Sequence, residues 1–430
     1  GQDLSFIFGC SVFAAWDEMT EDGDLLIARN LDAPIFRDYA KYQSLNFYNP
    51  EKGYKFVALN YPTYIGIMHG MNNKGLVIAM TYSPVTKEER TFEGKPYMFM
   101  LRNTLQYAAS INEAIDLIKN TPRTIGLNIL LADSDDNKAV ILETTANRFK
   151  VRDINKDKFL YASNNFQSHY MQEFQSGGWL SSILRNQRFE ELKKEYRGKL
   201  NIENAVKILR DKFDQNSIAA KAYMDGIENS GTIASIIFKP ETKEIWVSNR
   251  GGALSPEGDY LAFSAEKIWN SKTAVKPFDI ISKNDNKNKY EKNWIRVREA
   301  DLALSKRDFN KTRELLFPVL KENPRSEYPL LLMALSYIYE NKKETAIEYF
   351  DKIVWLPEVS FYNNHIKAYY WLGGLHDMLG ERKKAINYYE KGLEVEVPEK
   401  SSSVDFYRNT FKKGLKVKLE YKNGKFREAK

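Results

Sequence analysis

The apolar pattern of this 430-residue chain changes period once, near residue 290, and that change limits the fold more than any single residue does. Between residues 10 and 270, short β-rich runs alternate with helical ones. The runs "CSVFAAW", "LLIARNL", "YKFVALN", "YIGIMHGM", "LVIAMTY", "LNILLAD", "AVILETT" and "IASIIFKP…EIWVSN" read as strands. Turn signals such as "EDGD", "NNKG", "DSDDN" and "KPETKE" separate them. Helical periods run through "PYMFMLRNTLQYA", "INEAIDLIKNT", "SSILRNQRFEELKKEY" and "IENAVKILRDKF". Strands and helices interleaved in this way predict an α+β domain of layered sheets and helices over residues 10–280.

Beyond that point the β signal ends. "ENKKETAIEYFDKIVWLP" (340–357) superposes on "GERKKAINYYEKGLEVEVP" (380–398), with Ala346 on Ala385, Phe350 on Tyr389 and Pro357 near Pro398. A weaker copy is "ADLALSKRDFNKTRELLFPVLKENP". These segments resemble tetratricopeptide repeats, with a longer connector before the last copy. An all-α repeat domain is therefore expected over 294–430, joined by a polar linker, "ISKNDNKNKYEKN", at 281–293. Small residues at 346 and 385 let paired helices approach, and the aromatics fill the gap between repeats. Such an array packs as a scaffold or offers a concave surface to a peptide or protein partner.

Composition removes several classes of function. The net charge of +7 arises from 64 basic and 57 acidic residues spread along the chain, with no basic face interleaved with aromatics, so nucleic acid is not an expected partner. No uninterrupted apolar run is long enough to span a bilayer. The four histidines, His69, His169, His365 and His376, lack metal-ligand spacing, and a single cysteine excludes a multi-cysteine centre or an intrachain disulfide. No metal and no cofactor are expected. The chain opens on Gly1 without a signal peptide. We read this as a mature form whose export signal has been removed, in the periplasm or outside the cell, with the cytoplasm as the alternative.

That single cysteine, Cys10, follows Gly9 at the head of the first strand. A free cysteine is most often an inert, small buried hydrophobe. Here the strand leads through "TEDGD" into "LLIARNLD". A turn centred on Asp22-Gly23 would pair residues whose numbers sum to about 45, placing Cys10 opposite Ile35 or Phe36. Arg29, Asn30 and Asp32 would then lie ~10–20 Å along the partner strand, on faces the pattern alone does not fix.

A Gly–Cys junction, a strand, an Asp-Gly turn and then "ARNLD" resemble the entry to N-terminal-nucleophile (Ntn) cysteine hydrolases. The families are the choloylglycine hydrolases, the penicillin V acylases and the acyl-CoA:6-aminopenicillanic acid acyltransferases. Later segments match in family order: "HGMNNKGLVIA" (69–79), "NILLADSDDNKAVILETT" ending near Glu143, "YASNNF" (161–166), "SSILRNQRF" (181–189) and "IASIIFKPETKEIWVS" (233–248). The resemblance covers residues 9–270. It departs at Asn164-Asn165, where the acyltransferase branch has Asn-His, and in the nine residues preceding Cys10.

The resemblance implies a four-layer αββα Ntn-hydrolase sandwich and self-cleavage between Gly9 and Cys10, releasing residues 1–9 as a leader. It further implies that the new α-amine serves as base for its own thiol. An α-amine titrates near 7.7–8, so a neutral fraction exists at physiological pH, and it is tethered to the nucleophile. Arg29 would favour the thiolate, Asp32 would orient the amine, and Asn164, with Asn72 or its backbone, would donate to the oxyanion. Arg185 would be a second cation, with Arg188 as its alternate. The expected chemistry is cleavage of a small-molecule amide through a thioester, ending on water or on an amine. Implied substrates are acylated amino acids, conjugated bile acids, acyl lactones, penicillins or peptide-like amides. Two other readings compete. One is a papain-like protease pairing Cys10 with His169 or His69. The other is a repeat-containing binding protein whose hydrolase domain has degenerated.

Overall fold

The computed structural model describes residues 9–33, 40–62, 64–153, 157–176, 180–211, 226–228, 231–251, 255–271, 273, 275–282, 289–356, 362–395, 402–422 and 424–429. Its described residues divide into two compact units, one running through residue 284 and the other from 285 onward. Of the expected leader only Gly9 is described; Pro357, Pro398 and residues 283–288 of the expected linker also lie outside the described residues.

The first unit is α+β. Its strands are β1 (Gly9–Ala15), β2 (Leu26–Asp32), β3 (Ser44–Tyr48), β4 (Phe56–Asn60), β5 (His69–Asn72), β6 (Leu76–Tyr82) and β7 (Leu127–Asp133). They continue with β8 (Lys138–Thr144), β9 (Phe149–Arg152), β10 (Phe159–Ala162), β11 (Thr232–Lys239), β12 (Glu244–Ser248), β13 (Tyr260–Ser264) and β14 (Asp279–Ile281). They form two seven-stranded sheets, ordered β10-β1-β2-β11-β12-β13-β14 and β3-β4-β5-β6-β7-β8-β9. Most of these strands are buried on both faces, which is why they read as continuous apolar runs rather than as alternations.

One core lies between the sheets, where Val12, Ile27, Leu31 and Ile236 share a cluster with Ile78, Leu130 and Ile141. Helices α1 (Tyr97–Tyr107) and α2 (Ile111–Lys119) cover the second sheet. Helices α3 (Leu180–Glu195) and α4 (Ile202–Leu209) cover the first, where Phe13, Ala28 and Ile237 meet Phe189, Leu192, Val206 and Leu209. The layer order is therefore helix, sheet, sheet, helix. Each fully buried aliphatic or aromatic side chain in such layers contributes about 1.5–3 kcal/mol of transfer free energy.

The β1–β2 register departs from the expected one. Cys10 pairs with Leu31 and Gly9 with Asp32, so paired numbers sum to 41 rather than 45. The strand ends at Ala15, and distant partners take over the connection. Residues Asp17–Met19 form a 3-10 turn, Thr20 bridges Leu200, Glu241 accepts the Leu25 N–H at 2.9 Å, and Lys239 holds both Asp22 and Asp24. The Asp-Gly turn survives, with Gly23 at φ +83°, but it closes a wider loop.

The second unit is helical: α5 (Lys289–Ser305), α6 (Phe309–Glu322), α7 (Glu327–Tyr339), α8 (Lys343–Val354), α9 (Tyr362–Met378), α10 (Arg382–Glu394) and α11 (Ser402–Lys416). Helix α5 begins inside the stretch expected to be linker. Starts of the second helix in successive pairs fall at 309, 343 and 382, spacings of 34 and 39, so the longer connector belongs to the last pair only. Ala346, Phe350, Ala385 and Tyr389 are all fully buried, as the superposition predicts. The Tyr389 ring lies between Gly373 of α9 and Gly414 of α11, where a Cβ would come within 2.2 and 2.5 Å of it. Its hydroxyl donates to the buried Asp377 carboxylate at 2.9 Å. A hairpin of β15 (Leu419–Lys422) and β16 (Lys425–Glu428), absent from the sequence reading, ends the unit against α9.

Candidate active site

The register settles which faces the candidate residues occupy. Cys10, Val12, Arg29 and Leu31 project between the sheets, whereas Ser11 and Asn30 project toward the α3–α4 layer. Arg29 is diagonal to Cys10, closer than the expected few residues along the partner strand, and its Nη2 donates to the Cys10 sulfur at 3.2 Å. Both side chains are fully buried. The remaining guanidinium donors meet the Met80 carbonyl at 3.0 Å, through Nε, and the ring Nδ1 of His69, through Nη1. Among the described residues no carboxylate pairs with Arg29. A buried cation without an anion is costly, and ionising the adjacent thiol would remove that cost.

The Cys10 backbone is held as closely as its side chain. Its N–H donates to Asn164 Oδ1 at 2.9 Å, and its carbonyl accepts from Arg185 Nη1. Arg185, reaching in from α3, also donates to Asn164 Oδ1 and to Ser11 Oγ, both at 2.9 Å. Asp32 lies 3.9 Å from Arg185 and accepts from the Thr232 hydroxyl at 2.7 Å. A Cβ added to Gly9 would stand 3.0 Å from Asp32 Oδ2. Glycine at position 9 therefore admits the carboxylate beside the Gly9–Cys10 junction. Gly9 lies in an extended strand and is not among the positive-φ glycines, so close approach rather than a strained backbone explains it. In this uncleaved chain burial pushes the Cys10 thiol up; Arg29 opposes that, Asp32 adds to it, and Arg185 opposes it.

Asn164 sits on the loop after β10, and that loop is heavily braced. Its Nδ2 donates to the Tyr82 carbonyl at 2.8 Å, at the end of β6. Asn128 Nδ2 donates to the carbonyls of Ser163 at 3.0 Å and Asn165 at 3.2 Å. Glu143, fully buried, accepts from the backbone N–H groups of Gln167 and Ser168, and pairs with Arg152 at 3.3 Å. Glu143 thus carries the loop rather than the reaction. Asn128 escaped the sequence reading because an asparagine inside an apolar strand carries no local signal of its distant partners.

One expectation is corrected and one alternate is set aside. Asn72 is a turn residue: its Nδ2 donates to the carbonyls of Leu105 (2.9 Å) and Ala108 (2.8 Å), and its Oδ1 accepts from Lys74 and Leu76. This Asx turn precedes Gly75 at φ +87° and ties the β5–β6 connection to α1, leaving Asn72 no role at the thiol. Arg188 is committed to Asp211, at 2.7 and 3.0 Å, and to Glu191, so Arg185 is the cation of this site. The papain-like arrangement also fails. Cys10 lies on a strand, His169 is exposed, and His69 meets Arg29 instead of the sulfur. Among the described residues no cluster of side chains could hold a metal ion. No described helix is long and apolar enough to cross a membrane.

The profile of the family "Acyl-coenzyme A:6-aminopenicillanic acid acyl-transferase" matches residues 19–252, more than half of the chain, and a tetratricopeptide repeat profile matches residues 366–396. Protein dcd1B of Dictyostelium discoideum is 33% identical over 146 residues, which are 34% of this chain and 29% of that protein. An uncharacterized protein of Archaeoglobus fulgidus is 26% identical over 147 residues, 33% of this chain and 24% of that one. The chain thus matches less than a third of the length of either relative. Among solved structures, the Caenorhabditis elegans N-acylethanolamine-hydrolyzing acid amidase ortholog is 18% identical, with a TM-score of 0.41 over 54% of this chain and 93% of its own. A mutant of the conjugated bile acid hydrolase from Clostridium perfringens is 17% identical, with a TM-score of 0.41 over 65% of this chain and 98% of its own.

Proposed function

Since the chain belongs to the acyl-coenzyme A:6-aminopenicillanic acid acyl-transferase family, we propose that it is an autoprocessing cysteine amidohydrolase or acyltransferase working through Cys10. The observation that carries this reading is the double hold on one residue. Arg29 touches the Cys10 sulfur while Asn164 accepts from the Cys10 nitrogen, the atom that would become the α-amine. Strand geometry and one buried guanidinium thus set nucleophile and base within a single residue.

In the processing step the thiol sulfur attacks the Gly9 carbonyl carbon. The C–N bond to Cys10 breaks, the thiol proton passes to the departing nitrogen, and a thioester joins Gly9 to the sulfur. Water hydrolyses that thioester, releasing residues 1–9 with a carboxylate and leaving Cys10 with a free amine and thiol. In turnover the neutral amine takes the thiol proton and the thiolate attacks a substrate amide. The leaving amine departs with that proton, and the acyl thioester passes to water or to a second amine. Asn164 Nδ2 donates one hydrogen to the Tyr82 carbonyl, and in this reading it turns its second toward the oxyanion, where one such donor is worth about 3–4 kcal/mol in the transition state. Asp32 orients the new amine, and Arg185 supports it indirectly through the Cys10 carbonyl and the Asn164 oxygen. Both the hydrolase and the transferase outcome use these residues. The substrate of the first unit is a small-molecule amide. The helical repeats of the second unit offer a surface for a protein partner.

The test is a trapping experiment. Wild type and Cys10→Ala are incubated with an N-acyl p-nitroanilide, quenched in acid and weighed intact. A hydroxylamine-sensitive acyl adduct on wild type alone supports the reading. A protein that releases nitroaniline without Cys10, or that never carries an adduct, contradicts it.

A further inference from the structure

We infer that His69 is a positioning residue, which as a neutral imidazole fixes the Arg29 guanidinium against the Cys10 sulfur. This rests on the reading of Cys10 as the nucleophile and assigns a role to a buried histidine that the mechanism above does not use. His69 lies on β5 of the second sheet and is 1% exposed, while Arg29 and Cys10 lie on the first sheet. Its Nδ1 meets Arg29 Nη1 across the core. Arginine only donates, so that contact requires an unprotonated Nδ1, and the neutral ring then carries its hydrogen on Nε2. An imidazolium here would set two buried cations in contact. Burial, and after it the charge of Arg29, hold His69 well below the ordinary histidine range, in keeping with that tautomer.

The consequence lies in the geometry of the fork. A guanidinium is planar, and its donors point in fixed directions. The Met80 carbonyl fixes the Nε edge and His69 fixes Nη1, which leaves Nη2 aimed at the sulfur. Without His69 the plane would keep only the Nε–carbonyl bond and a longer Nη2 contact to the Met80 sulfur at 3.7 Å, both to the one residue Met80. Two acceptors on one rigid sheet define it. Nε2 of His69 has no hydrogen-bond partner among the described residues, so the ring is held here for its Nδ1 side alone. The charged and titratable groups around Cys10 are Arg29, Asp32 and Arg185, with Tyr61 and Tyr97 also within electrostatic reach. Of these, His69 touches Arg29.

Cys10 is the chain's single cysteine, so every alkylation event reports on it. The experiment measures the pH dependence of iodoacetamide modification by intact mass for wild type, His69→Leu, His69→Asn, Arg29→Gln and the Leu/Gln double variant. His69→Leu is expected to raise the alkylation midpoint by about one pH unit, a tenfold loss of thiolate below it. His69→Asn, which keeps an acceptor near the Nδ1 position, is expected to return to within about 0.3 unit of wild type. In the Arg29→Gln background, His69→Leu should add nothing, because its effect passes through Arg29. Equal shifts in both backgrounds, an unmoved midpoint in His69→Leu, or an Asn variant matching Leu would overturn the inference. The titration runs on processed or unprocessed chain alike. Retention of residues 1–9 by wild type therefore strikes the function reading, whereas additivity strikes only His69.

Discussion

Replacing Arg29 by glutamine removes the cation beside the sulfur while keeping an amide donor of smaller reach. The Nη2–sulfur distance is 3.2 Å, and the charge is spread over the guanidinium, so the effective separation from a thiolate is roughly 4 Å. At that separation, with an effective dielectric constant near 20, the attraction is about 4 kcal/mol. Divided by 1.36 kcal/mol per unit, it corresponds to roughly three pKa units. Relaxation of Arg185 toward the sulfur recovers part of this, so the expected rise in the thiol midpoint is about 1–3 units. At neutral pH the thiolate fraction, and with it both leader release and acylation, should fall ~10- to 1,000-fold. The assay is alkylation rate against pH, followed by mass, with circular dichroism to confirm that the variant folds. A folded Arg29→Gln protein whose midpoint moves by less than about half a unit would refute the assignment of Arg29 as the group that favours the thiolate.

Asp32→Asn should separate two effects: removing its charge lowers the thiol midpoint, since the Asp32 charge pushes the thiol up, yet turnover slows because the new amine loses its anchor. Nitroaniline release from an N-acyl p-nitroanilide beside the alkylation profile reads both. In the helical unit, a methyl group at Gly374 would stand 2.1 Å from the Phe426 ring. Gly374→Ala should therefore dislodge the terminal hairpin and cost about 1–3 kcal/mol, seen as a lower Tm that Phe426→Leu partly restores. Alkaline unfolding gives a pH test. Burial pushes the Tyr61, Tyr97 and Tyr260 hydroxyls above the ordinary tyrosine range, so these groups stay protonated when folded and ionise when unfolded. Their contribution to stability is intact below pH about 10 and declines above it by about 1.36 kcal/mol per unit for each group. Absorbance at 295 nm should show these phenols titrating only as the fold is lost.

Local patterns were enough for the α+β first unit and the helical repeats, while the layer order and Cys10 as candidate nucleophile came through resemblance. Burial periodicity marks β1, β2, β6, β7, β8 and β11 and the helices of the first unit, because those segments are long and apolar. The short strands β3, β9 and β10 carry too few residues to show a period. The β1–β2 register was misplaced because the Asp-Gly turn is held by Lys239, Glu241 and Leu200, partners far away in sequence. Arg29, Asp32, Asn164 and Arg185 were legible through resemblance, and the structure brings all four around Cys10. Asn72 was misread because an asparagine in an Asx turn and one donating to an oxyanion have the same one-letter signal. His69 was noticed as a histidine but not as an acceptor for Arg29, since that contact joins two different sheets and no spacing along the chain encodes it.

The central claim is that Cys10 becomes the chain's N-terminus by its own chemistry. Intact mass and N-terminal sequencing of purified full-length protein, beside Cys10→Ala and Cys10→Ser, address it directly. Wild type is expected to lose residues 1–9 and to begin at Cys10, while Cys10→Ala keeps its leader and Cys10→Ser releases it slowly or not at all. A catalytically active wild type that still begins ahead of Gly9, or a Cys10→Ala protein cleaved at the same bond, would contradict the account.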